Sequence, residues 1–166
     1  MPYDTDMLEG KMTGHLSGDV GDGGLLPADA ARFIPQKPPF VFVSGLIDCG
    51  ETYAVTVFEV PSDCVLAAGG VLREGGITEF MAQSCATFVG YRDFLAGRTE
   101  PSVGVLGALS RMKIGFLPPV GSKLSCRVET VGDFGGMQMF YAKVHMDGGR
   151  LVAEGRLTTS GLGNAE

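Results

Sequence analysis

The sequence predicts an α+β fold in which an antiparallel sheet wraps around a single long helix. Three observations carry the prediction. Two β-rich runs, FVFVSGLID at 40–48 and TYAVTVFEV at 52–60, are separated only by CGE, the pattern of a hairpin. One long stretch, 77–95, repeats apolar residues at the helical period through Ile77, Phe80, Met81, Phe88 and Val89. Four further strand-like segments, at 103–116, 123–131, 138–146 and 151–159, then follow, divided by PPVGS, GDFGG and DGG. Strands, one helix and more strands make a layered domain whose helix has a sheet to pack on.

Taken in order, residues 1–24 are rich in Gly and Asp (SGDVGDGG) and poor in apolar side chains, so a disordered N-terminal extension is expected there. Residues 25–162 are then expected to form one domain. PADAARF at 27–33 reads as a short helix with Pro27 at its start and Asp29 in its first turn, ended by Pro35, Pro38 and Pro39. Residues 61–76 read as loop. In the 77–95 helix, the small residues Ala82, Ser84, Ala86 and Gly90 fill much of the circumference between the apolar ones. A helix apolar or small nearly all round is enclosed rather than laid on a surface. Gly97 caps its end and Pro101 blocks continuation. Asp147 to Gly149 supply a hairpin turn between the last two strands.

Composition excludes several functions. The net charge of −6 disfavours nucleic acid, whose phosphates call for a basic face. Cys49, Cys64, Cys85 and Cys126 are scattered with no CxxC, which reads as reduced thiols rather than a disulfide framework or a metal site, and no cofactor is expected. No signal peptide and no membrane-spanning run is visible, so a cytoplasmic protein is expected. Hydrophobic residues make up 45% of the chain and charged residues 19%, an apolar balance that predicts burial of some surface in an oligomer.

Four stretches taken together resemble the hot-dog-fold 3-hydroxyacyl-[acyl-carrier-protein] dehydratases. IPQKPPFVFVSGLID resembles their opening, a Pro-rich turn leading into the first strand. GGITEFMAQSCA resembles the central helix, with its glutamate followed by an apolar pair, Ala and Gln. SRMKIGFLPPVGSKLSCRVE resembles the third strand, Pro–Gly turn and fourth strand, and GRLVAEGRL the closing strand. The pieces are collinear over 31–160. The IPQ+PP opening and the Gly–apolar–Glu helix start are most similar to the divergent dehydratase-like proteins of aryl-polyene and flexirubin-type pigment pathways. The resemblance implies a hot-dog dimer, two sheets joined edge to edge, with an acyl-thioester tunnel along the interface. It implies as partners an acyl carrier protein or an acyl-CoA thioester.

Dehydrating a 3-hydroxyacyl thioester needs a base for the α-proton, an acid for the leaving 3-hydroxyl and donors that polarise the thioester carbonyl. By the resemblance these are a His from the loop before the helix, a Glu on the helix and backbone N–H groups at its start. Glu79 matches the Glu, standing before Met81, Ala82 and Gln83. Two effects compete on it: a first-turn position favours the carboxylate, and apolar burial favours the neutral acid. A dry site makes Glu79 an acid. Gly75 and Gly76 match the helix start, where a missing Cβ lets N–H groups approach a ligand. Gln83 completes the substrate-binding set, though a glutamine inside a helix is more readily a hydrogen-bonding partner for loop backbone.

The departure from the family lies upstream. Its His-Phe-Pro-Gly-His loop is replaced by PSDCVLAAGGVLRE, which has no histidine. His15 falls in the extension, and His145 alternates with Val144 and Met146 on a strand, on the solvent side. Substitutes in the loop are Asp63, Cys64 and Glu74. The alternative is a second subunit: in the family the His of one subunit faces the Glu of the other, so a chain with only the Glu can pair with a His-bearing hot-dog subunit. Three functions follow: a dehydratase or Glu-bearing dehydratase subunit in fatty-acid or aryl-polyene type biosynthesis, acting as homodimer or heterodimer; a non-catalytic acyl-thioester-binding partner; or a thioesterase. Arg73, Arg92, Arg111 and Lys113 are candidates to steer an acidic carrier protein to the tunnel mouth.

Overall fold

The computed structural model describes residues 25–161, so the predicted extension at 1–24 lies outside the described residues. Strand β1 (Ala28–Asp29) runs into a 3-10 helix (Ala30–Phe33), followed by β2 (Gly45–Cys49) and β3 (Tyr53–Glu59). A miniature hairpin, β4 (Ala67–Ala68) and β5 (Val71–Leu72), precedes helix α1 (Glu74–Leu95). Then come β6 (Gly104–Ile114), β7 (Lys123–Phe134), β8 (Met137–Met146) and β9 (Arg150–Gly161). Seven strands form one antiparallel sheet in the order β1-β2-β3-β7-β8-β9-β6.

Period-two alternation decides which side of the sheet carries the core. Leu124, Cys126 and Val128 of β7, Ala54 and Phe58 of β3, and Phe140, Ala142 and Val144 of β8 are buried beneath the helix. Between them Arg127, Glu129 and Lys143 point outward, where Arg127 lies 4.0 Å over the Tyr53 ring. From α1, Ile77, Phe80, Met81, Cys85, Phe88 and Tyr91 fill the concave side. The rings interlock: Phe58 to Phe80 at 5.5 Å, Phe88 to Phe140 at 5.8 Å and Phe33 to Tyr91 at 5.2 Å. Burial pushes the Cys126 thiol up to about 12 and raises Cys85 as well, so both are protonated packing groups. No disulfide joins the four cysteines.

Three boundaries differ from expectation, each for a physical reason. The first helix is a single 3-10 turn, and Asp29 is its N-cap, accepting from the Ala31 N–H at 3.0 Å, rather than a first-turn residue. The strand predicted from Phe40 starts only at Gly45. Phe42 and Val43 are buried, but the Phe42 N–H is taken by Gln83 and not by a ladder partner. The predicted loop at 61–76 contains the β4–β5 hairpin, whose Gly69 and Gly70 at φ 62° and 77° allow its two-residue turn.

Helix α1 also begins three residues earlier than periodicity indicates, with Arg73 as N-cap. The hairpin before it is stitched on both sides. Leu72 N donates to Pro118 O at 2.8 Å, Val120 N to Gly70 O at 2.9 Å, and Arg73 N to Leu66 O at 2.9 Å. That scaffold holds Gly75 and Gly76 in a helical turn their propensity disfavours.

Candidate active site

Helix α1 is enclosed on most sides but not all. Thr78, Glu79, Ala82, Ala86, Val89 and Asp93 are each half-buried, and they recur at three- and four-residue spacing. They form one open stripe along the helix. Glu79 lies in it.

With the helix starting at Glu74, Glu79 stands in the second turn, not the first. The dipole falls off within one turn, so its contribution belongs to Glu74 instead. What positions Glu79 is a hydrogen bond: Gln83 Nε2 donates to its Oε1 at 2.9 Å. Gln83 is 1% exposed and fully engaged. Its Oε1 accepts from Phe42 N–H at 2.7 Å, and its Nε2 also donates to Phe40 O at 2.8 Å. One side chain thus clamps the 40–42 segment to the helix and aims the carboxylate one turn away. Both amide atoms of Gln83 are thus committed to partners within the protein. Replacing it by Leu leaves the buried Phe42 N–H unpartnered. The expected loss is about 1–3 kcal/mol, read as a lower denaturation midpoint.

The structure separates the two glycines. A Cβ on Gly76 would lie 2.9 Å from Leu72 Cγ and 3.3 Å from Leu66 Cβ, so this glycine lets the hairpin pack on the helix. Its N–H already bonds Arg73 O at 2.9 Å. Gly75 is exposed, and nothing lies within 4 Å of the position a Cβ would take there. The helix start is therefore open at Gly75, among the first N–H groups that lack an intrahelical partner.

Among the described residues no hydrogen bond or ion pair joins Asp63, Cys64 or Glu74 to Glu79. Glu74 is exposed and pairs with Arg73 at 3.3 Å. Asp63 is exposed. Cys64 packs against the core, its N–H on Pro61 O. His145 stands on the outer face, opposite buried Val144 and across the sheet from the helix. Burial, with Lys143 beside it, pushes it below the ordinary imidazole range. His15 lies outside the described residues. Within this chain's described residues, then, no imidazole shares the concave side with Glu79, and no cluster of His, Cys, Asp and Glu is arranged to hold a metal.

The four basic candidates are also dispersed. Arg73 and Arg92 sit at opposite ends of α1, roughly 28 Å apart at the helical rise. Lys113 pairs with Glu154 at 3.7 Å on the sheet. Arg111 occupies a β-bulge in β6 at φ 53°.

A long helix held in the concavity of an antiparallel sheet, with its carboxylate on an open stripe, is the arrangement of the hot-dog fold. The chain belongs to the ApeP-like dehydratase family, whose ApeP dehydratase pattern matches residues 28–163. Among solved structures it is similar to the dehydratase heterocomplex ApeI:P from Xenorhabdus doucetiae, with 21% identity, a TM-score of 0.70, and 85% of this chain and 94% of that one covered. It is also similar to the uncharacterized protein PH1136 from Pyrococcus horikoshii, at 19% identity and TM-score 0.60, covering 84% and 96%. A hypothetical thioesterase with coenzyme A from Streptococcus pneumoniae TIGR4 matches at 15% and 0.57, covering 71% and 84%. No curated protein sequence matches the chain. Among the described residues no helix is long and apolar enough to cross a membrane.

Glu79 and Gln83 stand out in the sequence as candidates, and the structure joins them by a hydrogen bond, but the open stripe could not be read there. Its small residues were visible as spacing, but which side the sheet leaves uncovered depends on the strand order.

Proposed function

We propose that this chain is the glutamate-bearing subunit of a 3-hydroxyacyl thioester dehydratase whose histidine comes from a second hot-dog subunit. The observation that carries the reading is Glu79, aimed by Gln83 from an open helix stripe, with no imidazole on its side of the sheet among the described residues. Strand β6 adds support. It is one of the sheet's two edges, 11 residues long, and exposed over most of its length. An edge with its outer ladder groups unpaired is a template for another strand. The neighbouring ApeI:P structure is described as a heterocomplex, which agrees with the same arrangement.

In the proposed reaction the partner's imidazole takes the α-proton and the C2–H electron pair forms the C2=C3 double bond. The C3–O bond breaks, and the Glu79 carboxyl gives its proton to the departing hydroxyl, which leaves as water. N–H groups at the Gly75 end of α1 stabilise the enolate-like thioester oxygen. The acyl group is carried on acyl carrier protein or coenzyme A. Activity assayed on a 3-hydroxyacyl carrier protein, with and without a His-bearing hot-dog subunit, tests the reading.

Gly75 gives a sharper test of where the thioester sits. Gly75→Ala meets no atom and replaces a poor helix former, so the protein keeps its fold and gains up to about 1 kcal/mol. Its methyl would stand where the carbonyl approaches, and turnover is expected to fall about tenfold while the melting temperature holds or rises.

A further inference from the structure

Edge strand β6 holds an outlier. Arg111 sits at φ 53°, and among the described residues no other non-glycine has a positive φ. The register explains the geometry. Ser110 faces Arg156 and Lys113 faces Glu154, so Arg111 and Met112 together oppose the single residue Gly155. A Cβ on Gly155 would lie 2.8 Å from Met112 Sδ and 3.2 Å from Met112 Cα, so Met112 packs onto the core across that glycine. The bulge leaves Arg111 exposed on the outermost strand.

Glycine would make the same bend at lower cost, because the left-handed region crowds any Cβ. What arginine adds at this position is its side chain. Among the described residues that side chain makes no hydrogen bond, ion pair or ring contact. The charged residues of β6 are Arg111 and Lys113 alone, so the strand has no carboxylate of its own. The acid of the neighbouring strand, Glu154, already accepts from Tyr141 OH at 2.6 Å and pairs with Lys113 at 3.7 Å. The edge strand is thus cationic on a chain of net charge −6.

These charges discriminate between occupants of the edge. A second copy of this chain, set against β6 strand to strand, brings two more cations and no carboxylate from that strand in any register. A strand of an unlike subunit that carries Asp or Glu gives the Arg111 guanidinium a planar, bidentate partner. We propose that Arg111 is the charge anchor of the contact with the second subunit, and that this contact takes an edge strand bearing a carboxylate. The inference rests on the reading of this chain as one half of a two-subunit dehydratase. It adds the residue that selects the partner and the chemistry by which it does so.

The test is the affinity of the full-length chain for a His-bearing hot-dog subunit, measured by titration calorimetry at low and high salt. Arg111→Gly is expected to weaken that association about tenfold at low salt, as loss of one member of an interfacial charge pair does. The melting temperature of the isolated chain should hold or rise, because the left-handed residue is relieved. The deficit should shrink at about 0.5 M salt, where exposed charges are screened. Arg111→Asn, neutral and tolerant of the same backbone, is expected to lose as much. Arg111→Lys keeps the charge and the strain but not the fork, and is expected to lose less. Self-association of the chain alone, read by sedimentation, should not weaken in Arg111→Gly. Unchanged affinity in both neutral variants overturns the proposal and leaves the two-subunit reading in place. So does an equal loss of self-association, which makes a second copy the occupant. Failure of the wild type to bind the His-bearing subunit overturns that reading and the inference with it.

Discussion

Glu79→Gln is expected to lower dehydration by about 10²–10⁴-fold, the range over which a positioned acid or base acts. The fold should be indifferent. The Gln83 Nε2 donor needs only a carbonyl-type oxygen at 2.9 Å, and the amide of glutamine supplies one at the same place. The melting temperature should therefore hold, and so should thioester binding, because the substitution removes the transferable proton and not the shape. Glu79→Asp retains the proton but withdraws it by one methylene, and an intermediate rate is expected. A steady-state assay on the assembled protein, beside a thermal melt, separates loss of chemistry from loss of structure.

Gly90→Ala should have the largest effect on stability. Gly90 sits where α1 crosses the 3-10 helix, and a Cβ there would overlap the Phe33 carbonyl oxygen and lie 2.8 Å from its carbonyl carbon. The obstacle is backbone, which cannot swing aside as a side chain can. Phe33 is itself fixed, edge-on to Tyr91 at 5.2 Å. Overpacking usually costs about 1–3 kcal/mol, and a backbone clash belongs at or above the top of that range. At about 2–4 °C per kcal/mol for a domain of this size, a fall of at least about 6 °C is expected in calorimetry. The contrast with Gly75→Ala, the same substitution in the same helix, isolates packing from propensity.

The fold was legible because its signals were local. The two β-rich runs, the hairpin turn at Asp147 to Gly149 and the long periodic segment each follow from residues within a few positions of one another. Where reading failed, a tertiary partner had overridden the local signal. FVFV looks like a strand, but Gln83, 41 positions away, takes the Phe42 N–H. Gly75 and Gly76 look like loop, but the stitched β4–β5 hairpin starts the helix at Glu74. That shift moved Glu79 out of the first turn and replaced an electrostatic account of its position with a hydrogen-bonded one. The site was half legible for a similar reason. Glu79 announces itself as a carboxylate among Ile77, Phe80 and Met81. The dispersal of Arg73, Arg92, Arg111 and Lys113, and the placing of His145 on the outer face, depend on register and topology that no short motif encodes.

The most direct test of the central claim is a complementation titration. Dehydration of a 3-hydroxyacyl carrier protein is followed while a His-bearing hot-dog subunit is added to a fixed amount of this chain. The expected result is negligible turnover by this chain alone, activity that rises with partner to a plateau at one subunit each, and no rescue when the chain carries Glu79→Gln. Full turnover by the unmixed chain, or undiminished activity from the Glu79→Gln mixture, would contradict it.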